Sequence, residues 1–304
     1  MTWLVWRRQR ANLIVSVSIV LVLIGWWSSI IASGDLSGCG LTDGPRCRPD
    51  VELLLDNEFV FVLVMIALPM FLGAFAGAPL FAREYEAGTD VFVLSQDVSR
   101  KRWWWTKLTI AGSPLVVLMA VLGVVSVYGA RTGLFHQVFS SPWYLTIGPV
   151  LGALTLLAFA LAVTIGALSR NTIAALAGTV AAYAVVLGVI GVFVSPHLTT
   201  PYRYAVPMEW SAEGYVGPPE PPGRSEDTFP VDYGMSSSRT DLVLEGALCS
   251  RDTCSDDLDQ VYVDYYRAGD IWRVQLADAA VYAAIALVVL GVGHRAVTRS
   301  STRA

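Results

Sequence analysis

Six apolar stretches, each long enough to cross a lipid bilayer as a helix, decide what this chain can become: 12–32, 59–82, 108–129, 145–168, 172–194 and 274–293. Crossing roughly 30 Å of hydrocarbon takes about 20 helical residues, because no backbone N–H or C=O can be left without a partner there. The chain carries 46 charged residues, and only Asp278 falls inside one of the six stretches. With 15% charged residues and a mean hydropathy of +0.54, it lies far from a soluble chain, which is about 25% charged. A soluble fold, a disordered chain and a basic nucleic-acid binder all fit poorly. The expectation is an all-α polytopic membrane protein of six transmembrane helices, with the lipid bilayer as a partner and no nucleic acid.

Basic residues fix the orientation, since short cytoplasmic loops are enriched in Lys and Arg. With the N-terminus inside, twelve basic residues and four acids (Glu84, Glu86, Asp90 and Asp97) fall on the cytoplasmic side, and nine basic residues and 21 acids outside. Both termini are therefore expected in the cytoplasm. The basic start followed by an apolar run has the outline of a signal peptide, but the run is long for one, so the first span is expected to be retained. Cytoplasmic parts are small: residues 1–11, the loop 83–107, the turn Ser169-Arg170-Asn171 and a basic tail that ends the 274–304 segment. Outside, 195–273 is long enough to form a small folded cap. Eight of the fifteen prolines lie between Ser195 and Pro230, which argues against long helices in its first part. Its end is acidic and rich in tyrosine.

All four cysteines fall on the outer side, as the close pairs Cys39/Cys47 and Cys249/Cys254. Two extracytoplasmic disulfides are the expectation, with free thiols or pairing across loops as alternatives. Neither spacing suits a zinc ribbon, and no histidine lies close to either pair.

Within the spans, small residues recur at helical spacing: Gly73 and Gly77, Gly148 and Gly152, and Ala174, Gly178 and Ala182 with Ala184, Gly188 and Gly191 beyond. Such residues let helix backbones approach closely. Pro69 and Pro114 sit inside spans and are expected to kink them. Signatures of chemistry are missing. There is no GxxxxGK[ST] to cradle phosphates, no HExxH and no GxSxG, and no paired ionisable groups at the bilayer centre. The chain is not expected to be an enzyme. Asp278 lies about four residues into the last span, shallow enough to be a hydrated interfacial carboxylate, with an interhelical hydrogen bond or a place on a transport path or outer gate as the other readings.

The loop 83–107 is the informative stretch. It holds all four cytoplasmic acids, a break at Gly88-Thr89, and the apolar patch Val91-Phe92-Val93-Leu94, which needs a membrane or partner surface to rest on. Ser99 suits a helix N-cap, and Arg100 to Arg102 followed by Trp103 to Trp105 make an interfacial anchor.

These residues also carry a family resemblance. Gly77-Ala78-Pro79-Leu80, Ala82-Arg83-Glu84, Glu86-Ala87-Gly88-Thr89, Ser95 to Arg100, Arg102-Trp103 and Lys107-Leu108 closely resemble permeases of type-2 ABC exporters. The opening Met1-Thr2-Trp3-Leu4 with Trp6-Arg7, and Trp272-x-x-Gln275-x-x-Asp278, are similar to the bacterial branch in which a six-span permease works with a separate ATP-binding subunit. The outer loop is larger and more acidic than that pattern. The resemblance implies a multi-pass protein of the bacterial plasma membrane, with two ATP-binding subunits and a second permease copy or paralogue as partners. ATP and Mg would act through the partner, with no cofactor bound by this chain. It implies a coupling helix in the 83–107 loop that docks in the ATPase, with Arg83, Glu84, Glu86, Gly88, Thr89, Gln96 and Arg100 at or beside the contact. Trp3 to Arg10 would lie as an amphipathic segment on the inner leaflet. The function implied is export of an amphipathic or hydrophobic cargo such as an antibiotic, peptide or lipid. The alternative is a membrane receptor or assembly factor that binds its ligand through the acidic outer loop.

Overall fold

The computed structural model describes residues 2–32, 58–88, 99–130, 143–208, 228–238, 243–245 and 258–299. Cys39, Cys47, Cys249, Cys254, Thr89 and Gln96 lie outside the described residues. The chain runs through helices α1 (Thr2–Ile31), α2 (Glu58–Glu86), α3 (Arg100–Ala130), a 3-10 turn (Trp143–Thr146), α4 (Val150–Ser169), α5 (Thr172–Phe193) and the single turn α6 (Ser195–Leu198). Strands β1 (Tyr202–Pro207), β2 (Thr228–Ser236), β3 (Val243–Glu245) and β4 (Gln260–Arg267) follow, then a short 3-10 turn and α7 (Ile271–Arg299). Six helices (α1 to α5 and α7) are long and apolar enough to cross a membrane, one for each expected span.

The first span begins at Leu13, as expected, and helix α1 is continuous with the residues ahead of it from Thr2. Two boundaries differ from expectation. Helix α2 continues to Glu86 and α3 begins at Arg100, so both ends of the expected 83–107 loop are helical extensions of the spans. Residues 145–149 are not α-helical; the fourth helix begins at Val150, after Gly148 and Pro149. Helices α2 and α3 run unbroken through Pro69, Pro79 and Pro114.

Helix α4 is the centre of the bundle. Sixteen of its twenty residues are buried, and it packs against α2, α3, α5 and α7. A helix apolar all round has no face to present to water and is buried; the small residues Gly152, Ala153, Ala158, Ala160, Ala162 and Gly166 let four neighbours close on it. The α2 contact shows how closely. A Cβ added at Gly73 would lie 2.7 Å from Ala158 Cβ, and one at Gly77 would lie 2.9 Å from Ala162 Cβ. The GxxxG of the second span is thus the α2–α4 seam. Helix α5 buries only Ala175, Thr179, Tyr183 and Ile190.

The fold is not all-α. After α6 the chain forms a four-stranded antiparallel sheet in the order β1-β4-β2-β3. Tyrosine and valine crowd the central strand, Gln-Val-Tyr-Val-Asp-Tyr-Tyr-Arg, and such side chains suit a pleated surface. Its residues Val261–Tyr266 are buried. Arg203 on β1 faces Asp264 on β4 and donates to both carboxylate oxygens, at 2.8 and 2.7 Å. The guanidinium also lies 3.9 Å from the Tyr262 ring centre. Tyr266 joins the sheet to the bundle, in an apolar cluster with Trp27, Ile30, Val62, Val127, Ile147, Ile271 and Val274.

Candidate functional site

Two polar clusters sit at opposite ends of the helix bundle, and both tie helices together. At the α2–α3 end, Lys107 Nζ lies 2.5 Å from Glu84 Oε2, with both side chains nearly inaccessible. The ammonium also donates to the Leu80 carbonyl at 3.2 Å. It stands 4.8 Å from the Phe81 ring centre and 4.4 Å from that of Trp103. Phe81 in turn stacks on Trp104 at 4.6 Å. A cation in so apolar a place needs all of these: a carboxylate, a carbonyl and two π faces replace its water.

Two residues further on, Glu86 reaches the start of α5. Its Oε1 accepts from the Thr172 N–H at 2.7 Å and its Oε2 from the Thr172 hydroxyl at 3.1 Å. Asn171 Oδ1 accepts from the Ala174 N–H at 2.9 Å. The first turn of a helix has unpaired N–H groups and a partial positive charge, and a carboxylate answers both. Gly88, at φ +62°, takes the left-handed conformation that ends α2. Arg100 donates to the Val297 carbonyl at 3.2 Å, joining the first turn of α3 to the last of α7.

Of the residues expected at a coupling contact, Glu84, Glu86 and Arg100 are therefore engaged within the chain. Arg83 and Gly88 are exposed beside them. Helices α2, α3, α5 and α7 all meet at this end. Lys107 and Thr172 were not singled out as partners from the sequence, and no local pattern pairs them with Glu84 and Glu86, 23 and 86 residues away.

At the opposite end, Asp278 departs from the hydrated interfacial carboxylate expected for it: it is 3% exposed. The Tyr144 hydroxyl donates to Oδ2, and the Ser195 hydroxyl donates to Oδ1 at 2.8 Å. Tyr144 OH also lies 3.1 Å from the Val274 carbonyl, and Gln275 Nε2 donates to the Tyr144 carbonyl at 3.0 Å. Burial first, and the Asp278 carboxylate second, push the Tyr144 hydroxyl well above its ordinary 10.0, so it remains a donor. Gly148 permits this geometry: φ is +69°, and a Cβ there would lie 2.5 Å from Gln275 Oε1. The reason that shallow depth did not mean hydration is the turn at 143–146 and helix α6, which together with α7 enclose the carboxylate. Gln275 and Asp278, three apart, share one face of α7 as the Trp272-x-x-Gln275-x-x-Asp278 spacing requires. Tyr144 and Ser195 carried no sequence signal.

Asp278 thereby clamps both stems of the β-sheet. Ser195 begins the turn that leads into β1, and α7 begins directly after the segment that follows β4. Tyr266 on β4 adds a second tie, its hydroxyl 2.9 Å from both the hydroxyl and the carbonyl oxygen of Thr199.

Comparison with curated proteins and with solved structures gave no match. A family model described as "ABC-2 membrane transporter related" matches residues 11–195, which is 185 of the 304 residues and takes in α1 to α5 apart from the first turns of α1. Six spanning helices and this match make the chain a multi-pass membrane protein of the ABC-2 membrane transporter related family.

Proposed function

We propose that this chain is the membrane-spanning subunit of an ATP-driven exporter, powered by a separate ATP-binding subunit and catalysing no reaction itself. The observation that carries this reading is the family match across α1 to α5. Two permease copies, or this chain and a paralogue, would flank the path of an amphipathic or hydrophobic cargo in the plasma membrane. Membership of the family implies an ABC ATP-binding subunit as partner. The described ends of the α2–α3 connection suit a mechanical link to it. Glu84 with Lys107 binds α2 to α3, Glu86 binds α2 to α5, and Arg100 binds α3 to α7. A push on residues 87–99 reaches four helices through these contacts. The acids position the lever, while Arg83 and the residues beyond Glu86 meet the ATPase.

The test is purification of the tagged full chain from its native membrane in mild detergent. A stoichiometric ATP-binding protein is expected to co-purify, with an ATPase rate that changes when the permease is removed. Recovery of the intact chain with no ATP-binding protein would overturn the reading.

A further inference from the structure

We propose that the groove between the first turns of α3 and the last turns of α7 binds the headgroup of an anionic phospholipid. The site is independent of any ATPase. Arg100 holds the two helices together at the mouth, through the Val297 carbonyl. One turn along, the His294 ring lies 6.2 Å from the Trp104 ring and 6.1 Å from the Trp105 ring. Trp104 is fully buried and Trp105 is 41% exposed, so the groove opens beside Trp105. Lys101 precedes Trp104 by three residues and Trp105 by four, which places it on the same side one turn nearer the mouth. Arg295 follows His294 on the opposite wall. Both cations are exposed, and among the described residues neither makes an ion pair.

The rest of the groove points to a lipid. The two acids described at this end, Glu84 and Glu86, are engaged by Lys107 and Thr172, so no described carboxylate offsets Lys101 and Arg295. His294 Nδ1 is buried without a hydrogen-bond partner. An exposed Trp at a helix end is a residue of the bilayer interface. From Arg295, an apolar stripe continues along α7 through Val292 and Val288, three and seven residues back and 53% and 67% exposed. A phosphodiester between Lys101 and Arg295 would leave its acyl chain on that stripe. A zwitterionic headgroup brings its own ammonium and gains less from two cations, and free phosphate makes no use of the stripe.

Native mass spectrometry of the purified full chain tests this, with phosphatidylglycerol or phosphatidylcholine of the same acyl chains added. Phosphatidylglycerol is expected to be retained in preference. Each surface cation is worth about fivefold in affinity for an anionic lipid, so Lys101→Gln with Arg295→Gln should weaken retention by roughly 30-fold. The charge-conserving pair Lys101→Arg with Arg295→Lys should retain the lipid, as should Arg170→Gln, which removes a cation from the same end. Equal retention of the two lipids by the unmodified chain would overturn the proposal. So would unchanged retention by the double Gln variant, or displacement of the lipid by inorganic phosphate.

Discussion

Replacing Glu84 by Gln tests whether the buried Glu84–Lys107 pair holds the α2–α3 end together. The Lys107 side chain is 4% exposed and that of Glu84 11%. Without the carboxylate, the ammonium keeps the Leu80 carbonyl and the faces of Phe81 and Trp103 but loses the counter-charge 2.5 Å away. Removing one partner of a buried ion pair costs about 3–5 kcal/mol, whereas replacing both by groups of similar shape is close to neutral. Glu84→Gln and Lys107→Met should each destabilise by about that amount, and the double variant by only about 1 kcal/mol. The cycle therefore predicts strongly non-additive effects, the sign of direct contact. Urea unfolding in lipid–detergent micelles would measure it, followed by the near-ultraviolet signal of Trp103 and Trp104, which both pack on Phe81. A Glu84→Gln variant within about 0.5 kcal/mol of the parent, the range of an ordinary surface change, would refute the argument. So would single effects that simply add.

Glu86→Ala removes the carboxylate from the start of α5 and should cost about 1 kcal/mol, as loss of a helix cap does; faster hydrogen exchange at Thr172 would report it. Asp278→Ala removes the carboxylate that the Tyr144 and Ser195 hydroxyls share, leaving Tyr144 the Val274 carbonyl, and should cost about 2 kcal/mol, with Asp278→Asn milder; hydrogen exchange in β4 measures the loosened sheet. The Tyr144 hydroxyl is raised above 10.0 in the folded chain, so its contribution is fully present below pH 10 and lost as pH rises further through the folded value. Unfolding curves should show an alkaline loss of stability that is smaller in Tyr144→Phe. Gly73→Val should prevent α2 from seating on α4, because its Cβ would meet Ala158 and the Phe159 backbone, whereas Gly188→Ala, with nothing within 4 Å, should leave the isolated chain's stability unchanged or slightly raised; thermal unfolding of the two variants separates them.

The spans were legible because the bilayer imposes one length and one composition on every crossing segment, and charge avoidance marks the rest. The cap was harder. Prolines between Ser195 and Pro230 argued against long helices, and the described part of that stretch holds one helical turn and strand residues, but the sheet depends on β4, whose buried tyrosines and valines pair with strands up to 63 residues away in sequence. The expected all-α class failed there because cross-strand pairing is non-local. Asp278 failed for a related reason. Depth in a span predicts hydration only if nothing folds over the residue, and the Tyr144 turn and Ser195 both do. The acids of the 83–107 loop stand out among basic neighbours in the sequence, yet spacing alone did not reveal that Glu84 and Glu86 reach Lys107 and Thr172.

The two polar clusters are separated by the length of α4, and the way α4 is packed determines how they can communicate. A Cβ at Gly73 or Gly77 would lie within 3 Å of α4, one at Gly293 of α7 within 3 Å of Thr164 on α4, and Thr164 donates to the Val289 carbonyl of α7 at 3.1 Å. Seams this tight do not slide by small amounts, because a fraction of an ångström already brings backbones into collision. Helices α2, α4 and α7 are therefore expected to move as one body, with strain applied near Glu84 arriving near Asp278 as rotation with little internal bending. Helices α1, α5 and α7 are the least buried of the six in the chain; α7 is nonetheless pinned to α4 through Thr164 and Gly293, so α1 and α5 are the ones expected to shift against that body. In an exporter, the cargo path would open along the loosely held helices, while the α2–α4–α7 body carries motion from the α2–α3 end to the Asp278 clamp. A disulfide engineered across the α2–α4 seam should leave transport intact on this argument, and one that fixes α5 to α4 should stop it. Transport lost with the first and kept with the second would show that the moving boundary lies inside the α2–α4–α7 body.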